Sequence, residues 1–254
     1  MQLPQFEVHA AIEEKHWWFC ARRKILFSLA HAVLPPSKDK VIVEVGCGTG
    51  GNTVAFAREY DCTGIDPIPE AIAFAKSRFP GVPFIRGMAP DDIPELMRKA
   101  DLVLLIDVLE HVEDDLSFVP MLLRSMKPGA FFLAVAPADM ALWSEHDKGF
   151  EHYRRYDLSR LAKTWEGVPV DVKLLSYCNS RLYPLVRLAR IIAKLRGKSW
   201  GRAGTDLDMP SPWVNGILQN IFAGEEQALL RALKSDGRSA YRHGVSAIAL
   251  LQRV

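Results

Sequence analysis

No stretch of this sequence approaches the roughly 20 uninterrupted apolar residues of a membrane-spanning helix, so a helical membrane protein is excluded. Cysteine is scarce: Cys20, Cys47, Cys62 and Cys178 are scattered with neither the spacing of a metal module nor the density of a disulfide scaffold. That pattern fits a reducing cytoplasm. Charge of one sign is also lacking, since the formal net charge is only +2, which argues against a surface built as a trap for nucleic acid. The N-terminal stretch carries Glu7, Glu13 and Glu14 before any long apolar run and so lacks the basic-then-apolar order of a secretory signal. There is no internal repeat and no low-complexity tract. What remains is an ordinary globular balance, 49% apolar and 24% charged over 254 residues, enough for one large α/β domain with insertions.

Periodicity organises the chain. Residues 5 to 34 read as helical, with Trp17, Trp18, Phe19, Ile25, Leu26 and Leu29 on the apolar faces and Pro35-Pro36 as the stop. Residues 1–38 are therefore expected to form an N-terminal helical cap. From Lys40 short apolar runs alternate with helical stretches, the pattern of a mostly parallel sheet with crossover helices. Strands are predicted at Val41 to Val45, Cys62 to Ile65, Val82 to Ile85, Leu102 to Ile106 and Phe131 to Val135, with two more at Val170 to Leu175 and Val245 to Leu251. The expected fold is α/β, a doubly wound sheet: a core over 39–178, a helical insertion or lid over 179–240, and a final core strand in 241–254.

The strongest local signal is Val41-Ile42-Val43-Glu44-Val45-Gly46-Cys47-Gly48-Thr49-Gly50-Gly51, a β-branched strand running into a glycine loop and then a helix. Glycines there let the backbone approach a ligand closely. Gly46, Gly48 and Gly51 satisfy the dinucleotide fingerprint, and Asp66 lies where that fingerprint expects an acid for a ribose hydroxyl. Glu44 separates the readings. Its carboxylate would repel a pyrophosphate, but it suits a ligand carrying an ammonium and a sulfonium.

At these residues the chain resembles the class I S-adenosylmethionine-dependent methyltransferases, whose first motif is an acid two places before a Gly-x-Gly-x-Gly loop, matched here by Glu44, Gly46, Gly48 and Gly50. The resemblance continues through Gly64-Ile65-Asp66-Pro67, then Phe84-Ile85-Arg86-Gly87-Met88-Ala89, then Asp101 to His111, then Met126-Lys127-Pro128-Gly129-Ala130. It implies a seven-stranded Rossmann-like sheet of order 3-2-1-4-5-7-6 with an antiparallel seventh strand. It also implies S-adenosylmethionine as cofactor, with contacts from Glu44, Gly46, Cys47, Gly48, Asp66, Pro67, Met88, Ala89, Asp107 and Val108. Met88 stands where the family has an acid for the adenine amino group; packing on the ring is then its expected role, with Asp91 or a backbone carbonyl as acceptor.

In an open parallel sheet the ligand crevice lies outside the carboxyl ends of the strands, so the acceptor is expected near the loops after the fourth and fifth. There Trp143 to Tyr156 has no apolar period but several proton-transfer and anion-binding groups. Methyl transfer is an in-line displacement at an activated carbon, so proximity and alignment do most of the catalysis. A hydroxyl acceptor must also lose its proton, which an imidazole titrating near about 6.5 is suited to take. His146, His152 and Tyr153 are the catalytic candidates, Tyr156 an acceptor wall, and Arg154 and Arg155 a clamp for an acceptor anion. Asp107, Glu110 and His111 are spaced to share one helical face. Ubiquinone-pathway O-methyltransferases and small-RNA terminal methyltransferases resemble this stretch and use an acid-x-x-Glu-His set for a metal, with His146 here as the fourth ligand; metal-free relatives carry a similar stretch, and no metal is assigned.

At the N-terminal end, His16 to Arg23 resembles the corresponding segment of bacterial methyltransferases that also carry a His-Tyr-Arg-Arg-Tyr run, where such a helix closes over the site. Between Arg181 and Arg202 there are seven basic residues and no acid. A basic amphipathic helix over 182–198 serves as a lid, grips an anionic acceptor or lies on an anionic membrane, and Gly201 to Pro212 is expected to link it to a final helix. The expectation is methyl transfer to a small metabolite or lipid-linked acceptor, nucleic acid being disfavoured by charge. The alternatives are a nicotinamide dinucleotide-dependent oxidoreductase and a non-catalytic cofactor-binding partner protein.

Overall fold

Short β-branched runs bounded by turn residues become strands wherever both faces can be covered by helices. In the computed structural model, which describes residues 3–196, 208–235 and 239–254, they are β1 (Val41–Val45), β2 (Asp61–Asp66), β3 (Phe84–Arg86), β4 (Leu102–Ile106), β5 (Phe131–Pro137), β6 (Val170–Cys178) and β7 (Ser246–Arg253). They form one sheet of order β3-β2-β1-β4-β5-β7-β6, with β7 antiparallel to both neighbours and the other pairings parallel. The expected order is therefore present. β3 starts later than predicted, because Val82 gives its N–H to the Phe79 carbonyl in a turn and Pro83 has none to give. β6 runs longer than predicted, since β7 pairs with it through to Cys178.

Strand alternation sorts the core onto two faces. Val43, Val45, Val103, Leu105, Phe132 and Ala134 face a layer made by α5 (Pro94–Lys99), α6 (Asp115–Ser125) and α8 (Leu158–Lys163). Ile42, Leu102, Leu104, Leu133 and Val135 face α2 (Trp17–Val33), α10 (Pro212–Ala223) and α11 (Glu226–Lys234). Ile25, Leu26 and Leu29 of α2 are at most 1% exposed, so each contributes about 1.5–3 kcal/mol of burial. α2 is thus one layer of the domain itself.

The single N-terminal helix expected over 5 to 34 is two, α1 (Leu3–Ile12) and α2. Between them His16 caps α2 by accepting from Trp18 N–H at 3.3 Å, while the Glu13 carboxylate is drawn to Arg78. The insertion forms α9 (Tyr183–Arg196), α10 and α11, so two helices follow where one final helix was expected. Most of the predicted link, residues 201–207, lies outside the described residues. α3 (Gly51–Phe56) and α4 (Pro69–Arg78) complete the β1–β3 crossovers, and a short α7 (Glu145–Gly149) interrupts the loop after β5.

Candidate active site

The chain direction across the sheet reverses between β1 and β4, and the loops leaving those two strands meet at this point. Gly46 turns out of β1 at φ 71°, where an added Cβ would come 2.4 Å from Val108 Cγ2 in the loop after β4. Gly48, at φ 52°, has nothing within 4 Å of its Cβ position, so the loop backbone borders open space. That space is a cavity of about 480 Å³, within the roughly 300–1,000 Å³ typical of small-molecule sites.

Glu44, Gly46, Cys47 and Gly48 border the cavity from β1 and its loop. Glu44 is 2% exposed; Asn52 Nδ2 donates to Oε1 at 3.1 Å and the Thr53 hydroxyl donates to Oε2. Burial nevertheless pushes its carboxyl up to about 7, these two donors offsetting only part of the cost. Burial also drives the Cys47 thiol far up, so it is not a nucleophile. Asp66 accepts from Gly48 N–H at 3.0 Å and Ile68 N–H at 2.9 Å, bracing the loop at the end of β2. Asp66, Pro67, Met88 and Ala89 are not among the residues bordering the cavity. Met88 is 55% exposed and its N–H donates to Asp92 Oδ2 at 2.7 Å, so the adenine-end residues flank the loop on the side of β2 and β3.

The loop after β4 differs from the helical face expected of it. Asp107 has φ 54°, and only Leu109–His111 make a helical turn. Asp107 therefore stands outside the turn that carries Glu110 and His111 and takes an ion pair with Arg22 of α2, whose guanidinium lies 4.0 Å from the Trp18 ring centroid. Arg22 is 5% exposed and borders the cavity. It is a cavity residue that the sequence did not single out; a cation within the Trp-Trp-Phe-Cys-Ala-Arg-Arg run was the available signal.

Instead of Asp107, His152 joins Glu110 and His111, their ligand atoms all within 4.8 Å of one another. Glu110 is 2% exposed with no hydrogen-bond partner on Oε2. Burial and then the neighbouring Asp107 charge push its carboxyl well up. Burial, then the His152 charge, lowers His111 to about 4.

The loop after β5 supplies two of its three catalytic candidates to the cavity, His146 and His152. Ser144 and Asp147 form a capping box that starts α7 and buries Asp147 completely. Asp147 Oδ1 lies 3.0 Å from His152 Nδ1, and Arg155 grips the same carboxylate through Nε at 2.8 Å and Nη2 at 3.1 Å. Burial alone would raise Asp147, but His152 and Arg155 outweigh it and hold the group well below the carboxylate range. Burial, then Arg190, lowers His146 to about 3, so it is neutral at physiological pH.

Four readings of that loop are corrected. Tyr153 is 52% exposed and stands outside the cavity lining. Tyr156 is fully buried, its hydroxyl 2.7 Å from Asp115 Oδ2 and 3.0 Å from the Leu109 carbonyl, so it is a structural strut rather than an acceptor wall. Arg155 borders the cavity but is held by Asp147 and the Ala138 carbonyl, and Arg154 is held by Asp115 and the Glu113 carbonyl; the two do not form a joint clamp, since both guanidiniums are taken up by partners within the protein.

A family model described as "Methyltransferase domain" matches residues 19–177. Norajmaline N-methyltransferase of Rauvolfia serpentina is 36% identical over 104 residues, 38% of this chain and 35% of that protein. A ubiquinone biosynthesis O-methyltransferase of Methylobacterium nodulans is 35% identical over 164 residues, 63% of this chain and 66% of that protein. The chain thus spans between about a third and two thirds of the length of these relatives. Among solved structures, the plantazolicin methyltransferase BamL, in complex with S-adenosylhomocysteine (SAH) and a desmethyl analogue, superposes with TM-score 0.58 at 14% identity over 98% of this chain and 90% of that one. Geranyl diphosphate C-methyltransferase of Streptomyces coelicolor A3(2) gives 0.55 at 14% identity, covering 91% and 75%. At such identities the agreement is one of fold.

Proposed function

The chain belongs to the methyltransferase-domain family, class I by its sheet order, and from that premise we propose that it transfers a methyl group from S-adenosylmethionine to the hydroxyl of a small or lipid-linked acceptor. The observation that carries the reading is the convergence, on one cavity, of the β1 glycine loop with its buried Glu44 and of His152 braced by Asp147.

The cavity chemistry fits the cofactor. Open space beside Gly48 leaves room against the loop, Glu44 and Asp107 suit an ammonium and a sulfonium, and Arg22 suits the carboxylate of a methionine end. The same acids oppose a pyrophosphate, which disfavours the dinucleotide oxidoreductase. When bound, the cofactor supplies a methyl carbon made electrophilic by the sulfonium. The protein's own part is to align an acceptor oxygen with that carbon and take its proton. Asp147 accepts from His152 Nδ1–H in the tautomer that leaves Nε2 as the base, and it stabilises the imidazolium formed, as an acid does for a catalytic histidine elsewhere. α2 walls the site with Trp17, Trp18 and Phe19, limiting water around the reacting atoms. A non-catalytic cofactor-binding protein would have no use for a histidine held this way.

Calorimetric titration with SAH, with a nicotinamide dinucleotide as control, tests the cofactor. Binding of the first alone is expected; binding of the dinucleotide alone would overturn the reading.

A second reading rests on the unpartnered, buried Glu110 Oε2 beside His111 and His152. These three would hold a divalent cation, and one acid with two imidazoles is a donor set suited to zinc or another transition ion. The cation would act as a Lewis acid on the acceptor oxygen. Chelator-treated protein separates the readings: full turnover after treatment favours His152 as base, and loss restored by added metal favours the cation.

A further inference from the structure

An amphipathic helix on a protein surface ordinarily turns its apolar side inward, and α9 has apolar residues on both sides. Val186 and Ala189 border the cavity, whereas Leu185 and Leu188, 57% and 54% exposed, and Ile191, 49% exposed, project from the opposite side. At three-residue spacing they form one stripe. Exposed Arg187 flanks it on the same helix, and the chain from Arg181 to Arg202 contains seven basic residues and no acid. At the start of α10, Trp213 is 76% exposed, with Val214 and Ile217 also open. Pro210, just before α10, borders the same cavity as α9.

We propose that the outer face of α9, together with the start of α10, docks on an anionic lipid surface. The apolar stripe would enter the headgroup boundary while the arginines meet lipid phosphates; the exposed Trp213, apolar in its ring and polar at its N–H, suits that boundary. Charge decides the occupant. A second copy of this chain would set its own basic stretch against this one, and like charges so placed repel. Docking would place a wall of the cavity at the lipid surface, since the same helix forms both.

The test is sedimentation of the full chain with vesicles of phosphatidylcholine alone or containing phosphatidylglycerol. Binding to the anionic vesicles only is expected, weakening as salt is raised. The triple variant Leu185→Ser, Leu188→Ser, Ile191→Ser should bind them about tenfold more weakly while keeping its affinity for SAH, which reports an intact fold. In wild type, anionic vesicles should blue-shift the tryptophan emission, and Trp213→Phe should lose most of that shift. Equal partitioning of wild type and the triple variant, no preference for anionic over neutral vesicles, or a wild-type dimer that the triple variant dissociates would each overturn the proposal.

Discussion

Replacing Glu44 with glutamine should move ligand affinity and fold stability in opposite directions. The Glu44 carboxyl is pushed up to about 7 by burial, against about 4.3 in an unfolded chain. A raised acid binds its proton more tightly when folded. Its contribution to stability is therefore complete below about pH 4 and is lost as pH rises through 7, by roughly 3.7 kcal/mol in all, about 2 of it between pH 5.5 and 8. A glutamine, isosteric with the protonated acid, does not titrate, so at pH 8 the variant should be more stable than wild type by up to about 3.6 kcal/mol, less what the Asn52 and Thr53 contacts lose. Cofactor binding works the other way. The α-ammonium of the ligand favours ionised Glu44, so wild-type affinity for SAH should fall as pH drops below 7, approaching tenfold per unit, and Glu44→Gln should bind about 10- to 100-fold more weakly at pH 8, the value of one charge-assisted hydrogen bond. Urea denaturation and calorimetry at pH 5.5 and 8 read both quantities. Wild-type affinity and pH dependence in the variant would refute the placement of a cationic group beside Glu44.

Three further outcomes follow from the geometry. Gly46→Ala would set a Cβ 2.4 Å from Val108 Cγ2 at positive φ, so it should cost about 1–3 kcal/mol in thermal or urea unfolding and weaken SAH binding, with partial rescue by Val108→Ala. Tyr156→Phe removes the hydroxyl between Asp115 and the Leu109 carbonyl and should destabilise the fold by about 1–3 kcal/mol in urea denaturation. Burial alone would raise Asp115, but Tyr156 and Arg160 hold it below the carboxylate range, and that depression should shrink in the variant when the carboxyl is titrated by NMR. His152→Ala should lower kcat on a hydroxyl acceptor about 10²–10⁴-fold with little change in SAH affinity; an unchanged kcat would remove His152 from the reaction.

Local sequence determined the strands and the glycine loop. β-Branched runs ending in Gly46-Cys47-Gly48 specify a backbone course through their own φ/ψ preferences, so β1 and β4 fall at their expected bounds and the sheet order follows the resemblance those motifs carry. The break between α1 and α2 was not legible, because Glu13 leaves the helical pattern for Arg78, 65 residues away in sequence. The site divides in the same way. That His146 and His152 belonged near an acceptor followed from their place after β5. That Asp147 would brace His152, that Arg22 would take Asp107 from 85 residues away, and that Tyr156 would be buried while Tyr153 stood in solvent depended on where separate elements come to rest. Spacing encodes the path of a backbone through short-range sterics, whereas the partner of a side chain is chosen by burial and charge among groups that only the packed sheet and helices bring together.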